Sequence, residues 1–169
     1  RREEALDYYR RVATTEGLRL RLYEPVTDLR GGDHAYTVVT DAATYEARKV
    51  VVATGFYDVP NRMGVPGEDL DKVRHYFKEP YPYALTDVAI VGGANSAAKA
   101  ALKCYRHEAN VTMVVREPEI GQSVKYWLRP DLQNRIAEGS IQAHFNTTVS
   151  AIEPDTLHLD TPDGPASID

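Results

Sequence analysis

The residues best suited to chemistry in this chain are Gly92, Gly93, Ala94, Asn95, Ser96 and Ala97. They form a turn of small residues between an apolar run, 87–91, and a helix-favouring stretch, 95–106. A second apolar run follows at 111–115. Strand, glycine turn, helix and strand in that order make a βαβ unit, whose helix N-terminus offers backbone N–H groups and a positive dipole end to a bound pyrophosphate. Against the pattern G-x-G-x-x-G/A, Gly92 fills the first position and Ala97 is an accepted third, but Ala94 stands where the second glycine is expected. Its methyl group is expected to hold a diphosphate slightly further out or to shift it towards Gly93, at a cost in affinity and not in fold. The plainer reading of the same glycines is that they only let the helix pack close to the sheet.

The strand after this helix ends in Arg116, not in the Asp or Glu that would take the ribose 2′-OH of NAD. A guanidinium there can make a bidentate, charge-assisted pair with a 2′-phosphate, which favours NADP(H) over NAD(H). Glu117 would repel that phosphate, so it is expected to turn away. Lys125 is a second candidate cation. The competing reading of Arg116 is an ordinary solvated strand-end charge.

Other reactive types are less promising. Cys104 lies seven residues after Ala97 and three after Ala101, on the helix face turned to the sheet, and is expected to be a buried, inert thiol. The histidines at 34, 75, 107, 144 and 158 show no metal-ligand spacing, so no metal site is expected. His75 sits among Tyr76, Phe77, Tyr81 and Tyr83, a cluster that could line a cleft but more simply packs a connector onto a domain. No serine has a G-x-S-x-G context. Glu68, Asp69 and Asp71 read as a solvated or helix-capping cluster, and Tyr126 and Trp127 as helix-packing residues. No catalytic residue is assigned within the chain.

Composition narrows the classes. With 169 residues, 43% hydrophobic and 27% charged, the chain is long enough for one good core or two small ones. A net charge of −5 without a Lys/Arg run argues against nucleic acid and against an anionic membrane surface. No apolar run approaches the about 20 residues that span a bilayer. A single cysteine allows no internal disulfide and suits a reducing compartment, so the cytoplasm is the expected location. The chain does not begin with Met, which points to an excised piece.

Elements able to position the glycine turn can be read from periodicity. Residues 1–16 have helical spacing with Gly17 as the stop. Residues 18–23 read as a strand, and 26–52 as an antiparallel meander ending in a buried strand, 49–53. Residues 61–67 suit a connector. Beyond the βαβ unit, 125–139 reads as a helix opening near Pro130, 140–145 and 147–153 as strands, and 156–161 as the start of a hairpin left unfinished.

At the level of family, the segment VVATGFYDVPNRMGVPGED resembles the strand and connector that leave the FAD domain of thioredoxin-reductase-like flavoproteins. HYFKEPYPY, GGANSAAKAAL and SVKYWLRPDLQNRIAEGSI resemble the bacillithiol-disulfide reductases among them, the last most specifically. The resemblance covers nearly the whole chain but only the middle of a longer protein. It implies an α/β fold of the FAD/NAD(P)-binding three-layer kind, β-meander, parallel sheet and helices. Residues 1–58 would be a partial FAD domain and 59–169 an NADPH domain lacking its last strand. Thr54 and Gly55, in the A-T-G segment, would lie near FAD. The connector at 57–63 would be a hinge. Thioredoxin reductases carry a C-x-x-C pair before the NADPH turn, and residues 56–91 contain no cysteine, which excludes that reading. The implied activity is hydride transfer from NADPH to FAD and on to a small-molecule disulfide such as bacillithiol disulfide, through a cysteine outside this chain. By itself the chain is expected to hold no flavin and to be inactive. A homo-oligomer is compatible with the family. A flavin-dependent monooxygenase and a non-enzymatic NADP(H)-binding module remain as alternatives.

Overall fold

The computed structural model describes residues 2–55 and 59–169. The chain divides into two compact units, Arg1–Gly55 and Phe56–Asp169. The expected hinge at 57–63 lies partly outside the described residues.

In the first unit, helix α1 spans Arg2–Thr15. Gly17 ends it in the left-handed conformation, with φ +60°. The Leu18 N–H donates to Ala13 O (2.9 Å) and the Gly17 N–H to Thr14 O (3.3 Å), the two bonds of a Schellman closure. Strands β1 (Val26–Gly32), β2 (Ala35–Thr40) and β3 (Thr44–Ala47) form the expected antiparallel meander. Asp33 and His34, both at positive φ, make the tight turn between Gly32 and Ala35.

Two expectations fail here. Residues 18–23 form no strand, and 49–53 are neither a strand nor buried, with Val51 88% and Val52 71% exposed. Both have strand-like composition, but a strand exists only through a neighbour's hydrogen bonds, and neither segment pairs with another among the described residues.

The second unit is built around a parallel sheet in the order β4-β5-β6, from Asp87–Val91, Asn110–Val114 and Gln142–His144. Helix α2 (Asn95–Tyr105) connects β4 to β5, and α3 (Arg129–Ala137) connects β5 to β6. Pro130 sits in the first turn of α3, where its missing N–H costs nothing. The helix starts at Arg129, beside Pro130 as read, and not at 125, because 126–128 are turns. Strands β7 (Thr148–Ile152), β8 (Leu157–Thr161) and β9 (Gly164–Ile168) form an antiparallel meander. The hairpin expected to be unfinished is therefore complete. Pro162-Asp163 turns it, and Thr161 Oγ1 donates to Gly164 O at 2.7 Å.

Alternation along β5 explains the layering. Val111, Met113 and Val115 enter the core shared with α2 and α3, beside Ala98, Ala101, Leu102 and Leu132. Val114 points the other way, against Val149, Ile152 and Leu159 of the meander. The three layers foreseen from sequence are thus present: helices, parallel sheet, meander. Phe77 and Tyr83 stack with centroids 6.0 Å apart and pack on the helix-side core, in agreement with the packing reading of the aromatic cluster.

Residues 61–67 are irregular as expected, but Glu68 is not a solvated charge. It is 5% exposed, and its carboxylate accepts the N–H groups of Met63 (2.9 Å) and Gly64 (2.7 Å). Those bonds, the Met63 one foremost, hold its carboxyl below the ordinary range. Asp69 is exposed and pairs with Arg62 at 2.5 Å. Next to it Gly67, at φ +81°, is pressed against β7, since a Cβ there would fall 1.8 Å from Ile152 O.

Gly139, at φ +79° with open space around it, gives a matched comparison. Gly139→Ala should cost about 1 kcal/mol from backbone conformation alone. Gly67→Ala adds a backbone overlap and should cost at least about 3 kcal/mol by urea denaturation. Equal losses would contradict the close packing of Gly67. Cys104 is buried on α2 among these layers, and desolvation raises its thiol pKa. The native protein should therefore resist Ellman's reagent and release one equivalent of chromophore only after unfolding.

Candidate functional site

The glycine turn lies at the C-terminal end of β4. Gly92 extends the parallel ladder through its N–H to Val114 O (2.8 Å) and then takes φ +119°, which a side chain would strain. Gly93 is required for a different reason. A Cβ on it would come 2.8 Å from Val115 Cγ1, so the turn reaches the end of β5 only as glycine. The structural role of the glycines is therefore real, and it brings the turn to the strand end that carries Arg116 and Glu117.

Ala94 occupies the N-cap of α2 in an extended conformation, with no side-chain cap hydrogen bond, and no acidic residue lies in the first turn. Most helices place Ser, Thr, Asp or Asn there to satisfy the first N–H groups. Here the start of an 11-residue helix has neither a side-chain cap from its N-cap residue nor an acidic residue in its own first turn, which suits an anion.

Asn95 uses its side chain elsewhere. Its Nδ2 donates to Ser123 O (3.0 Å) and its Oδ1 accepts the Lys125 N–H (2.8 Å), clamping the 121–128 loop to the helix start. Of Asn95, then, the backbone N–H is the group left to face a phosphate.

Glu117 is not turned away as expected. Its Oε1 accepts from Arg116 Nε at 2.7 Å, and Oε2 lies 3.9 Å from the position a Gly93 Cβ would take. Hydrogen bonding to Arg116 lowers the carboxyl pKa of Glu117, so it is ionised beside the turn. The repulsion considered from sequence acts only towards a bound phosphate, whereas the attraction to Arg116 acts within the chain itself. Both side chains are substantially exposed, so this pair is a weak, salt-screened one.

Lys125 places its ammonium 5.2 Å from the centroid of the Trp127 ring. Tyr126 and Trp127, read as helix-packing residues, are instead 82% and 58% exposed and meet edge to face at 4.9 Å. They precede α3 and so have no helix face to pack with. Pro130, near which the sequence reading itself opened the helix, marks that the helix begins after them. Thr54 and Gly55 belong to the first unit. Both are exposed, Gly55 has φ +71° and open space at its Cα, and the Thr54 hydroxyl reaches the Gly55 carbonyl at 3.5 Å. Among the described residues no group of His, Cys, Asp and Glu is arranged to hold a metal ion. No helix among them is long and apolar enough to cross a membrane.

With this geometry in place, comparison with known proteins is informative. The pyridine nucleotide-disulphide oxidoreductase family matches residues 1–168. The chain is similar to bacilliredoxin reductase Bdr of Bacillus subtilis (strain 168), at 40% identity over 152 residues, covering 89% of this chain and 47% of that protein. Among solved structures it is similar to bacillithiol disulfide reductase Bdr from Bacillus cereus, with 39% identity and a TM-score of 0.89 over 99% of this chain and 53% of that one. The thioredoxin reductase of T. acidophilum, 20% identical with a TM-score of 0.69 over 98% of this chain and 55% of that one, shares the fold. The chain spans about half the length of the relatives it matches. A glycine turn, a three-layer α/β unit and a match along nearly all its residues agree: the chain belongs to the pyridine nucleotide-disulphide oxidoreductase family.

Proposed function

We propose that this chain is the nucleotide-binding portion of an NADPH- and FAD-dependent reductase of a low-molecular-weight disulfide, with bacillithiol disulfide as the substrate of choice. The observation that carries this reading is the uncapped N-terminus of α2 behind Gly92 and Gly93. The similarity to the Bdr reductases supports the choice of substrate.

In this reading the backbone of Gly92, Gly93, Ala94, Asn95, Ser96 and Ala97 holds the NADPH diphosphate. Arg116 and Lys125 supply positive charge for the 2′-phosphate, and Thr54 and Gly55 border FAD. When bound, the two cofactors supply hydride transfer and electron delivery to the disulfide. The chain's own residues bind and orient. The Asn95 clamp fixes the loop that carries Lys125, and Gly93 sets the distance between the diphosphate turn and Arg116.

The Glu117 carboxylate beside Gly93 favours a second reading, in which an acid takes a ribose hydroxyl and NADH is the donor. Calorimetry separates the two. Arg116→Ala should weaken NADPH by about tenfold or more, the worth of one charge-assisted contact, while leaving NADH nearly unchanged. Equal losses for both nucleotides would remove the 2′-phosphate assignment. For the activity, the full-length protein should oxidise NADPH anaerobically with bacillithiol disulfide as sole acceptor, above a blank without disulfide. Consumption that begins only when oxygen is admitted would point to a flavin monooxygenase instead.

A further inference from the structure

Further along α2 a recess runs away from the glycine turn and shares Lys125 with it. Lys99, Lys103 and Arg106 project from one face of the helix at i, i+4 and i+7, and together with Lys125 and Trp127 they line a cavity of about 270 Å³. Leu102, which is buried, and Leu128 form its apolar part. Four cationic side chains and no carboxylate line this recess in a chain whose net charge is −5. Clustered like charges repel unless a counter-ion offsets them. Arg106 has one, Asp131 of α3 at 2.5 Å, which also fixes its guanidinium. Lys125 has the Trp127 ring. Lys99 and Lys103 have no ion-pair partner among the described residues.

We propose that this recess is a binding site for a compact phosphate-class anion, pyrophosphate or the phosphate end of a nucleotide, held by Lys99, Lys103 and Arg106. Its size sets the class. Ligand pockets run roughly 300–1,000 Å³, so the recess takes a small ion or the end of a larger ligand and not a whole dinucleotide. Its far end is separated from the proposed diphosphate turn, because Lys103 and Arg106 lie about 12 and 16 Å along the helix axis from Asn95 at 1.5 Å per residue, whereas Lys99, about 6 Å away, and Lys125 border both. Lysine ammoniums and an anchored guanidinium are the donors phosphates select.

Trp127, the chain's single tryptophan, is a built-in reporter of this recess. The experiment titrates sodium pyrophosphate, and separately ADP, at constant ionic strength with NADP⁺ already saturating, and follows Trp127 fluorescence. A saturable change is expected. It should weaken by about tenfold or more in the Lys99→Ala/Lys103→Ala double variant, return in Lys99→Arg/Lys103→Arg, and be unaffected by Arg116→Ala. Tighter binding of ADP identifies a nucleotide as the ligand, and tighter binding of pyrophosphate a free oxyanion. The proposal is overturned if the change does not saturate, if chloride at equal ionic strength reproduces it, or if it persists undiminished in a double variant with unaltered circular dichroism.

Discussion

The contact between Gly93 and Val115 is the constraint on which the rest of the site depends. With no side chain on Gly93, the turn closes to within a methyl's reach of the end of β5; with one, a Cβ would sit 2.8 Å from Val115 Cγ1. Backbone and strand end can then share one small region, so that the helix N-terminus and the charges at 116 and 117 are neighbours. Val115 is itself fixed because β5 is buried on both faces, one side by α2 and α3 and the other by the meander. A shift of one residue in β5 would exchange those faces and move Arg116 away from the turn. Packing and site geometry are therefore set by one register, Asp87↔Asn110 through Val91↔Val114.

What was legible in the sequence was local. The βαβ unit could be read because its strand runs, glycines and alanine-rich helix signal one another within about 30 residues, the span typical of such units. The meander β1-β2-β3 could be read for the same reason, since hairpin neighbours are adjacent in the chain. Residues 18–23 and 49–53 could not, because their strand-like character says nothing about whether a partner strand lies alongside. The β8–β9 hairpin was read only as far as its first strand, although Thr161-Pro162-Asp163-Gly164 is a turn sequence.

At the site the division is similar. Gly92 and Gly93 were identified by spacing, but the distinct reason for each, positive φ in one and proximity to Val115 in the other, is a three-dimensional fact. Asn95 was legible as a member of the turn but not as the clamp on Ser123 and Lys125, a contact about 30 residues away in sequence. Glu68 was read by its exposed neighbours, whereas its burial follows from two backbone N–H groups in an irregular connector that only a carboxylate satisfies together.

The charges around the turn act against one another, and this sets how strongly it can discriminate among anions. Ala94 leaves the helix start without a protein acceptor, which favours any negative group. Glu117 opposes this with a nearby negative charge and also occupies one donor of Arg116. A ligand phosphate must therefore either displace Glu117 from the guanidinium or use the donors that Glu117 leaves free. An arginine presents five N–H donors and the pair engages Nε, so the second route needs no rupture. A dianionic phosphate also interacts with the guanidinium more strongly than one carboxylate does, and the two anions repel each other at short range. On the proposed assignment, selectivity for a phosphorylated nucleotide would arise as a difference between two opposed terms and not from one strong contact. Because the Arg116–Glu117 pair is exposed, salt weakens both terms together. The Gly93–Val115 contact is uncharged and insensitive to salt, so the geometry of the turn persists while its electrostatic preference fades.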